Sequence, residues 1–481
     1  MTPLNHLNTL ESSGLIHLAQ SHPELEYLFR HALIHEAAYQ SLVKHDRKRL
    51  HLMVGAVLER AATDAPASRE DAAVLAHHYW RGEAWSKAAE HSLRAGAGAL
   101  KVYALREAIA HYARALEALD KMPDAPPSAI YDALLGWIQA AFKFRPYEEQ
   151  LGRLARAERI ARELNDRARL AQALYWTGHV HRASGYNVRA APPLVECFHL
   201  AAELGDEQLA MIPTYYMALV TLDADPRAAL PLFDRAAALA RKYGDRDVEA
   251  YALSTRGMAK ARIGEFAPAE QDIWQALALI DPTVSPMTTS DVNLYTAWSF
   301  LDMGDVPRGL EYGRRGLDQA MAADNMDCIC YGFVCLGFGN LRAQQPAEAI
   351  AAFQESIRRA QFSGAAQVEN LGRTGLAIAQ FFSGQAEVIQ DLEEALTAAH
   401  ALNDQFGAAL IDQALGEILT QLDEATRAAD HLNAALAYYR RAGLRPYLAR
   451  ALQSLARLFE RQGRSAEAAH ARAESETVER S

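Results

Sequence analysis

Cysteine is scarce in this chain, and so are the long apolar runs that cross membranes. Four cysteines in 481 residues are too few for a disulfide framework, so we expect a reducing, cytoplasmic compartment. No apolar run approaches the roughly 18 residues of a membrane helix. The N-terminal segment MTPLNHLNTLESSG lacks the basic and apolar parts of a secretion signal. The sequence therefore predicts a protein without a membrane segment.

Positive charge is also in deficit. The chain has 49 Lys and Arg against 60 Asp and Glu, a formal net charge of −11. A surface dominated by attraction to nucleic acid or to an anionic membrane is therefore not expected. Half of the residues are apolar and 23% are charged, which is typical of a chain that forms a core and excludes general disorder.

The motifs of common enzymes are missing too. No G-x-x-x-x-G-K-[ST] loop occurs, nor any Gly-Lys pair, so ATP hydrolysis of the usual kind is not supported. The nucleophile motif G-x-S-x-G is absent as well. We predict that the protein is not an enzyme and that it uses no cofactor.

Histidines and cysteines that could bind a metal are interpreted as structural. His31 and His35 lie four residues apart on a predicted helix, but no third ligand accompanies them. Cys328, Cys330 and Cys335 share one predicted helix, on which they cannot surround a metal tetrahedrally. We predict that these cysteines are buried as small apolar side chains, and we predict no metal site.

An internal period near 40 residues organises the chain from about residue 166 onward. Apolar residues recur at helical spacing, and a break recurs at Gly185, Asp225, Gly264, Gly304, Gln344, Gly384, Asp423 and Gly463. A second set of breaks places Asp166, Asp206, Asp245 and Asp404 where helices would begin, as N-cap residues. Each unit is therefore predicted to be a pair of helices with a turn at the first kind of break.

Small residues occupy a fixed position in every unit. Seven residues before each break stand Gly178, Ala218, Gly257, Ala297, Gly337, Ala377, Gly416 and Ala456. Small side chains at one helical position let two antiparallel helices approach closely, so each unit can pack on its neighbours. The pattern predicts that this position is buried throughout.

These columns and the turn between the helices resemble tetratricopeptide repeats (TPR), in the longer, 40-residue variety of large bacterial regulators. The resemblance implies an all-α superhelix of stacked helix pairs. We predict three regions: a winged-helix-like unit at 1–62, irregular short helix pairs at 66–125, and a TPR-like solenoid at 126–480. The prolines of the segment 122–128 mark the linker before the solenoid.

Residues 26–59 resemble the junction between ATPase and TPR arm in large bacterial STAND-type or AAA-type regulators. The matching residues include the runs Phe29–Leu33 and Ala37–Tyr39, with Ser41-Leu42 and Arg49–His51. Some of those regulators carry adenylate or guanylate cyclase domains, others a LuxR-type DNA-binding domain. The resemblance implies that the chain is the C-terminal part of such a regulator, with an ATPase domain or subunit as partner. We expect Phe29, Leu33, Tyr39, Leu42 and Leu50 to form a small core.

The densest basic run is KHDRKR, residues 44–49. A winged helix can present basic residues to DNA, but residues 1–60 contain six Lys or Arg and six Asp or Glu, so no basic excess exists. We interpret Lys44, Arg47, Lys48 and Arg49 as docking residues between domains. A DNA-binding regulator remains the alternative.

The function predicted from the repeats is a protein- or ligand-binding scaffold, the sensor or partner-recruiting arm of a signal-transduction regulator. A free-standing TPR adaptor is a further alternative, and the ligand could be a peptide, a protein or a small inducer. In TPR proteins the first helix of each pair lines the concave groove. Counting 10, 6 and 2–3 residues back from each break predicts the groove residues Tyr175, His179, Arg182, Tyr215, Leu219, Met258, Leu294, Trp298, Phe338 and Arg342.

Overall fold

A computed structural model describes most of the chain: residues 3–21, 25–62, 69–142, 146–385 and 387–480. The chain divides into two compact units, Met1–Ala140 and Ala141–Ser481. The predicted three-part division at 62, 66 and 125 stays a prediction. No helix in the described ranges is long and apolar enough to cross a membrane.

The first unit opens with a helix, an antiparallel hairpin and two more helices. These are α1 Pro3–Ser12, β1 Ile16–Gln20, β2 Glu26–Phe29, α2 Ala32–Ser41 and α3 Lys44–Ala62. Ile16 of the first strand pairs with Phe29 of the second. Four more helices follow: α4 Arg69–Arg81, α5 Trp85–Lys101, α6 Leu105–Leu119 and α7 Pro127–Ala141. The winged-helix-like unit predicted for residues 1–62 covers the segment up to α3, and its assignment stays a prediction.

The small core expected in this segment does not form. Leu33 is 82% exposed and Phe29 is 44% exposed, and α2 contains no buried residue. Leu50 is exposed as well, while Tyr39 and Leu42 are half-buried. The prediction was wrong because the hairpin and the helices that follow it do not enclose these side chains, and Phe29, Leu33 and Leu50 stay exposed to solvent.

The second unit is an unbroken series of helix pairs. Its helices are α8 Tyr147–Glu163, α9 Arg167–Ala183, α10 Asn187–Leu204, α11 Glu207–Leu222, α12 Pro226–Tyr243, α13 Arg246–Arg262, α14 Phe266–Leu279, α15 Pro286–Asp302, α16 Val306–Ala322, α17 Met326–Arg342, α18 Pro346–Ser363, α19 Ala366–Phe382, α20 Ile389–Leu402, α21 Gln405–Gln421, α22 Ala425–Ala442, α23 Arg445–Arg461 and α24 Ser465–Arg480. The predicted all-α, TPR-like architecture with a period near 40 residues is confirmed.

The predicted turns and caps are confirmed at nearly every repeat. Seven of the eight break residues have positive φ, the left-handed conformation that ends a helix. The exception is Asp225, which caps α12 while the turn occupies residues 223–224. The side chains of the four predicted N-caps each accept a backbone N–H of their helix: Asp166, Asp206, Asp245 and Asp404.

The column of small residues is buried in all eight repeats, as predicted. Gly337 shows why: a Cβ there would collide with the ring of Phe353, which is itself fully buried. The close approach of two helices in each pair therefore depends on this position.

The helix pairs wind into a coil whose later part packs on its earlier part. Backbone Ala366 N–H donates to the Ser184 carbonyl at 3.1 Å, and the Tyr438 hydroxyl donates to the Asp223 carbonyl at 2.6 Å, 215 residues away. Each acceptor is the C-cap of a first helix, where carbonyls lack partners within the helix. The later repeats thus complete hydrogen bonds that the earlier helices leave open.

Candidate functional site

The inside of the coil is formed by the first helix of each pair. Within the second unit, α11, α13, α15, α17 and α19 pack in succession on one another. Because neighbouring first helices touch, they occupy the shorter, inner path of the curve. Side chains that project from these helices and remain accessible to solvent are therefore the candidates for ligand contact.

Six of the ten predicted groove residues keep solvent access. Tyr175, His179, Arg182, Trp298 and Phe338 are half-buried, and Arg342 is exposed. Trp298 and Phe338 lie on neighbouring first helices with ring centroids 5.9 Å apart. Their role in binding stays a prediction, but their position on the inner helices agrees with it.

The other four predicted groove residues are in the core. Tyr215, Leu219, Met258 and Leu294 are 4%, 1%, 6% and 3% exposed. Leu294, for example, packs with Leu317 and Ile329 of the next two helices. They are corrected to packing residues, because at these positions the helix turns its side chain toward the neighbouring helices, and successive positions on a helix differ by about 100°.

Sequence reasoning missed a row of half-buried tyrosines on the same helices. They are Tyr216, Tyr251, Tyr295 and Tyr331. On α15, the accessible residues Tyr295 and Trp298 lie three positions apart; on α17, Tyr331 and Phe338 lie seven positions apart. Each spacing places the two residues on one face of their helix. Asp302 and Arg342 continue the same spacings at the ends of these helices, and this pattern was the sequence signal that could have located the face.

His179 lies at the centre of an aromatic cluster at the start of the coil. Its Nε2 is 2.6 Å from the Tyr216 hydroxyl, and its ring centroid is 4.0 Å from that of Phe142. The Trp176 ring stacks on it at 5.3 Å. These contacts hold the imidazole in one orientation, so this end of the inner face is packed rather than open.

Charged side chains line the inner edge where the two parts of the coil meet. The Arg445 Nε donates to the carbonyl of Ile263, the C-cap of α13, at 2.7 Å. The Tyr447 hydroxyl donates to the buried carboxylate of Asp302, and the Arg262 Nε lies 3.5 Å from the same carboxylate. Asp302 is thus held from both parts of the coil.

The basic residues proposed for docking are engaged mostly within the first unit. Lys44 and Lys48 pair with Glu83, and the Arg49 Nη2 lies 3.6 Å from the Asp46 Oδ1. The Arg47 guanidinium lies 5.4 Å from the centroid of the Tyr39 ring. Their docking role stays a prediction.

Two polar networks attach α3 to the helices that follow it. Glu59 accepts hydrogen bonds from Tyr79 at 2.6 Å and from Lys87, and it contacts His91 at 3.1 Å. The bonds from Lys87 and Tyr79 lower the pKa of Glu59 to about 2. The second network joins the Nδ1 atoms of His51 and His78 at 3.0 Å. These contacts therefore connect α3 directly to α4 and α5.

The four cysteines are free and buried. The Cys197 thiol donates to the Ala171 carbonyl, and burial raises the pKa of Cys197 and of Cys330 to about 12. Thiols with such pKa values are poor nucleophiles. The described residues contain no group of three or more His, Cys, Asp or Glu side chains arranged to hold a metal.

Comparison with known proteins gives a structural likeness without a sequence family. No protein-family profile matches the chain, and no curated protein matches its sequence. A crystal structure of a Rap protein complexed with competence and sporulation factor superposes with a TM-score of 0.58 at 11% identity, covering 74% of this chain and 99% of that one. The chain is a TPR-like helical-repeat protein. At that identity the likeness extends to the fold alone.

Two further structures resemble the TPR-like chain more loosely. Aspartyl phosphate phosphatase F from Bacillus subtilis has a TM-score of 0.42 at 12% identity, over 81% of this chain and 93% of its own. A STAND protein with a tetratricopeptide repeat sensor from Pyrococcus horikoshii has a TM-score of 0.43 at 15% identity, over 83% of this chain and 59% of its own.

Proposed function

We propose that the protein is a non-enzymatic binding scaffold that holds a peptide or protein segment on the inside of its coil. It would serve in the cytoplasm as the sensor or partner-recruiting arm of a signal-transduction regulator. The observation that carries this proposal is the set of accessible aromatic and arginine side chains on helices whose neighbouring positions are buried. An apolar wall with a few placed charges suits an amphipathic peptide.

A random peptide library screened against the full chain tests this proposal. Trp298→Ala and Phe338→Ala should each weaken selected peptides at least about tenfold, since aromatic anchors carry much of the binding energy of an interface. Phe362→Ala is the matched control, because Phe362 is 62% exposed at the end of the second helix α18. Binders that tolerate both groove changes would place recognition elsewhere. If no peptide binds but a small molecule does, and its binding requires both Trp298 and Phe338, the ligand is a small inducer instead.

We infer that the apolar surface of the first unit docks an ATPase domain or subunit. Its exposed members include Leu33 at 82%, Val57 at 59% and Met53 at 58%. Large apolar side chains exposed close together in this way are typical of sites where proteins associate. The resemblance of residues 26–59 to an ATPase–TPR junction supports an ATPase as the protein that docks there. Glu59 and His51 connect α3, on which they lie, to α4 and α5 through their side-chain contacts.

Titration with an ATPase domain encoded beside this gene tests the docking surface. Leu33→Glu and Met53→Glu should weaken the complex at least about tenfold, because each buries a charge without a partner. Val102→Glu serves as the control, since Val102 is 61% exposed at the end of α5. If Leu33→Glu instead converts a dimer of this chain to a monomer, the surface serves self-association and the ATPase proposal fails.

A further inference from the structure

The later part of the coil rests on the earlier part through a contact of one repeated form. Each first helix begins at one side of the coil and ends at the other, because every repeat stacks in the same orientation on the one before it. Where the two parts meet, the starts of late first helices contact the ends of early ones. The Ala366 N–H donates to the Ser184 carbonyl at 3.1 Å, and the Arg445 Nε donates to the Ile263 carbonyl at 2.7 Å. The partners are 182 residues apart in both cases, so the two parts stack in a constant register.

Exposure at the side where first helices begin follows this stacking. The position compared is the one two residues before the N-cap of a first helix. In the early repeats, those of α9, α11 and α13, it is apolar and exposed, and its residues are Leu164, Leu204 and Tyr243. In the late repeats, those of α19, α21 and α23, it is buried, and its residues are Ser363, Leu402 and Ala442. Leu402 and Ala442 share an apolar cluster with Ile263, so the early repeats cover this side of the late ones. We call the exposed side at Leu164, Leu204 and Tyr243 the early edge.

The side where first helices end shows the reverse order. The C-caps of α9 and α13, Ser184 and Ile263, are buried, because late first helices begin against them. In the late repeats the C-caps Leu422 and Gln462 are exposed, and so is Phe382 at the end of α19, at 59%. We call the side at Phe382, Leu422 and Gln462 the late edge. The two edges are therefore the two halves of the contact that joins the parts of the coil, each left without its other half.

Polar groups on the two edges match as well. The carbonyls that end α21 and α23 lack partners within their helices, as the Ser184 and Ile263 carbonyls do before the late repeats supply donors. Arg246 directly follows the N-cap of α13, the position that Arg445 holds in α23, and Arg246 is exposed on the early edge. Helix starts carry partial positive charge and helix ends partial negative charge. The early edge is therefore electrostatically complementary to the late edge.

We propose that a second copy of this chain stacks head to tail on the first, with its early edge resting on the late edge of its neighbour. The contact between copies continues the contact that the structure shows within one copy, which is why the partner is another end of this coil. Such a contact joins two different surfaces and leaves one edge of each kind free, so further copies add to an open filament. The inference goes beyond the proposed function and does not depend on it, since neither edge includes the proposed groove residues.

Sedimentation velocity of the full chain over a range of concentrations provides the test. Species larger than the monomer should appear and grow with concentration. Leu204→Glu on the early edge and Leu422→Glu on the late edge should each weaken assembly at least about tenfold, because each variant buries a charge without a partner. Phe382→Glu is a second late-edge variant, so a folding defect at Leu422 leaves the test intact. A monomer at every concentration of the unmodified chain would overturn the proposal.

An equimolar mixture of two variants separates this contact from a symmetrical dimer. The Leu422→Glu chain keeps an intact early edge, and the Leu204→Glu chain keeps an intact late edge. The mixture should therefore regain a dimer that neither variant forms alone, and it should form nothing larger, because the remaining edges both carry a glutamate. A mixture that stays monomeric would refute head-to-tail stacking.

Val195→Glu is the matched control. Val195 is 39% exposed in the middle of α10, the helix that ends at Leu204, which is 42% exposed. This variant should assemble as the unmodified chain does, because Val195 lies away from both edges. The proposal also fails if assembly survives Leu204→Glu, Leu422→Glu and Phe382→Glu but is lost in Leu33→Glu, since self-association then belongs to the first unit.

Discussion

At the scale of single residues, one glycine or alanine per repeat sets the distance between the two helices of a pair. Gly337 is the clearest case, since the ring of Phe353 occupies the space where a Cβ would lie. The sequence was sufficient to predict this burial because the requirement is local and recurs every repeat. It was insufficient for Tyr215 and Leu219, whose burial depends on how adjacent pairs rotate against each other.

A methyl group added at Gly337 should destabilise the fold. Gly337→Ala forces the fully buried Phe353 to move, and overpacking of this kind costs about 1–3 kcal/mol. Gly152→Ala is the matched control, because Gly152 lies inside α8 with nothing near its would-be Cβ. That change should stabilise by about 0.5–1 kcal/mol. Urea unfolding of both variants gives the comparison, and an unaltered midpoint for Gly337→Ala would contradict the packing argument.

At the scale of elements, a side-chain cap begins five of the eight first helices from α9 to α23, and these caps differ in their surroundings. Asp404 begins α21 and accepts the Gly407 N–H at 2.8 Å. It is also 3% exposed. Burial, followed by the charge of Asp223 in an earlier repeat, raises the pKa of Asp404 to about 6. The cap was predictable from sequence, but the pKa was not, because Asp223 approaches only when the coil closes.

Asp404 should make stability fall as the pH rises. An aspartate has a pKa near 3.9 in an unfolded chain, so between about pH 4 and pH 6 the folded state binds more protons than the unfolded state. The free energy of unfolding therefore decreases through that window and stays lower above it. Asp404→Asn keeps a cap acceptor without the charge, and it should raise stability at pH 7.5 by about 1–3 kcal/mol.

Urea unfolding at pH 4 and pH 7.5 tests the role of Asp404. The gain from Asp404→Asn should be largest at pH 7.5 and small at pH 4. Asp245→Asn is the control, since Asp245 caps α13 in the same way but is only half-buried. It should change stability by less than about 0.5 kcal/mol, because Asn and Asp are similar caps. A gain that is independent of pH would rule out the titration of Asp404 as the cause.

At the scale of the whole array, contacts between repeats far apart in sequence hold the coil closed. Tyr438, Arg445 and Tyr447 all come from the last repeats, and all donate to groups at the ends of earlier first helices. Ile263 of an early repeat joins the apolar core of the last ones.

Removing one closing contact should weaken the fold measurably. Tyr447→Phe leaves the buried Asp302 carboxylate without a hydroxyl donor, which costs about 1–3 kcal/mol. Tyr243→Phe is the control, because the Tyr243 hydroxyl bonds Glu207 at 3.1 Å on the exposed surface. That loss should stay below about 0.5 kcal/mol, since exposed groups regain water. Equal stability of the Tyr447→Phe variant and the unmodified chain in urea would show that the coil does not rely on this contact.

The helix pairs, their turns, the aspartate caps and the buried column of small residues follow from the amino-acid sequence alone. Each of these depends on interactions within about 20 residues, and the 40-residue period repeats them often enough to be read directly. Tertiary structure alone decided which face of each first helix points inward, because a rotation of one residue moves a side chain by about 100°. It also decided that residues about 180 to 215 apart meet, as Arg445 meets Ile263 and Tyr438 meets Asp223. That closure depends on the summed curvature of several repeats, which no local pattern encodes.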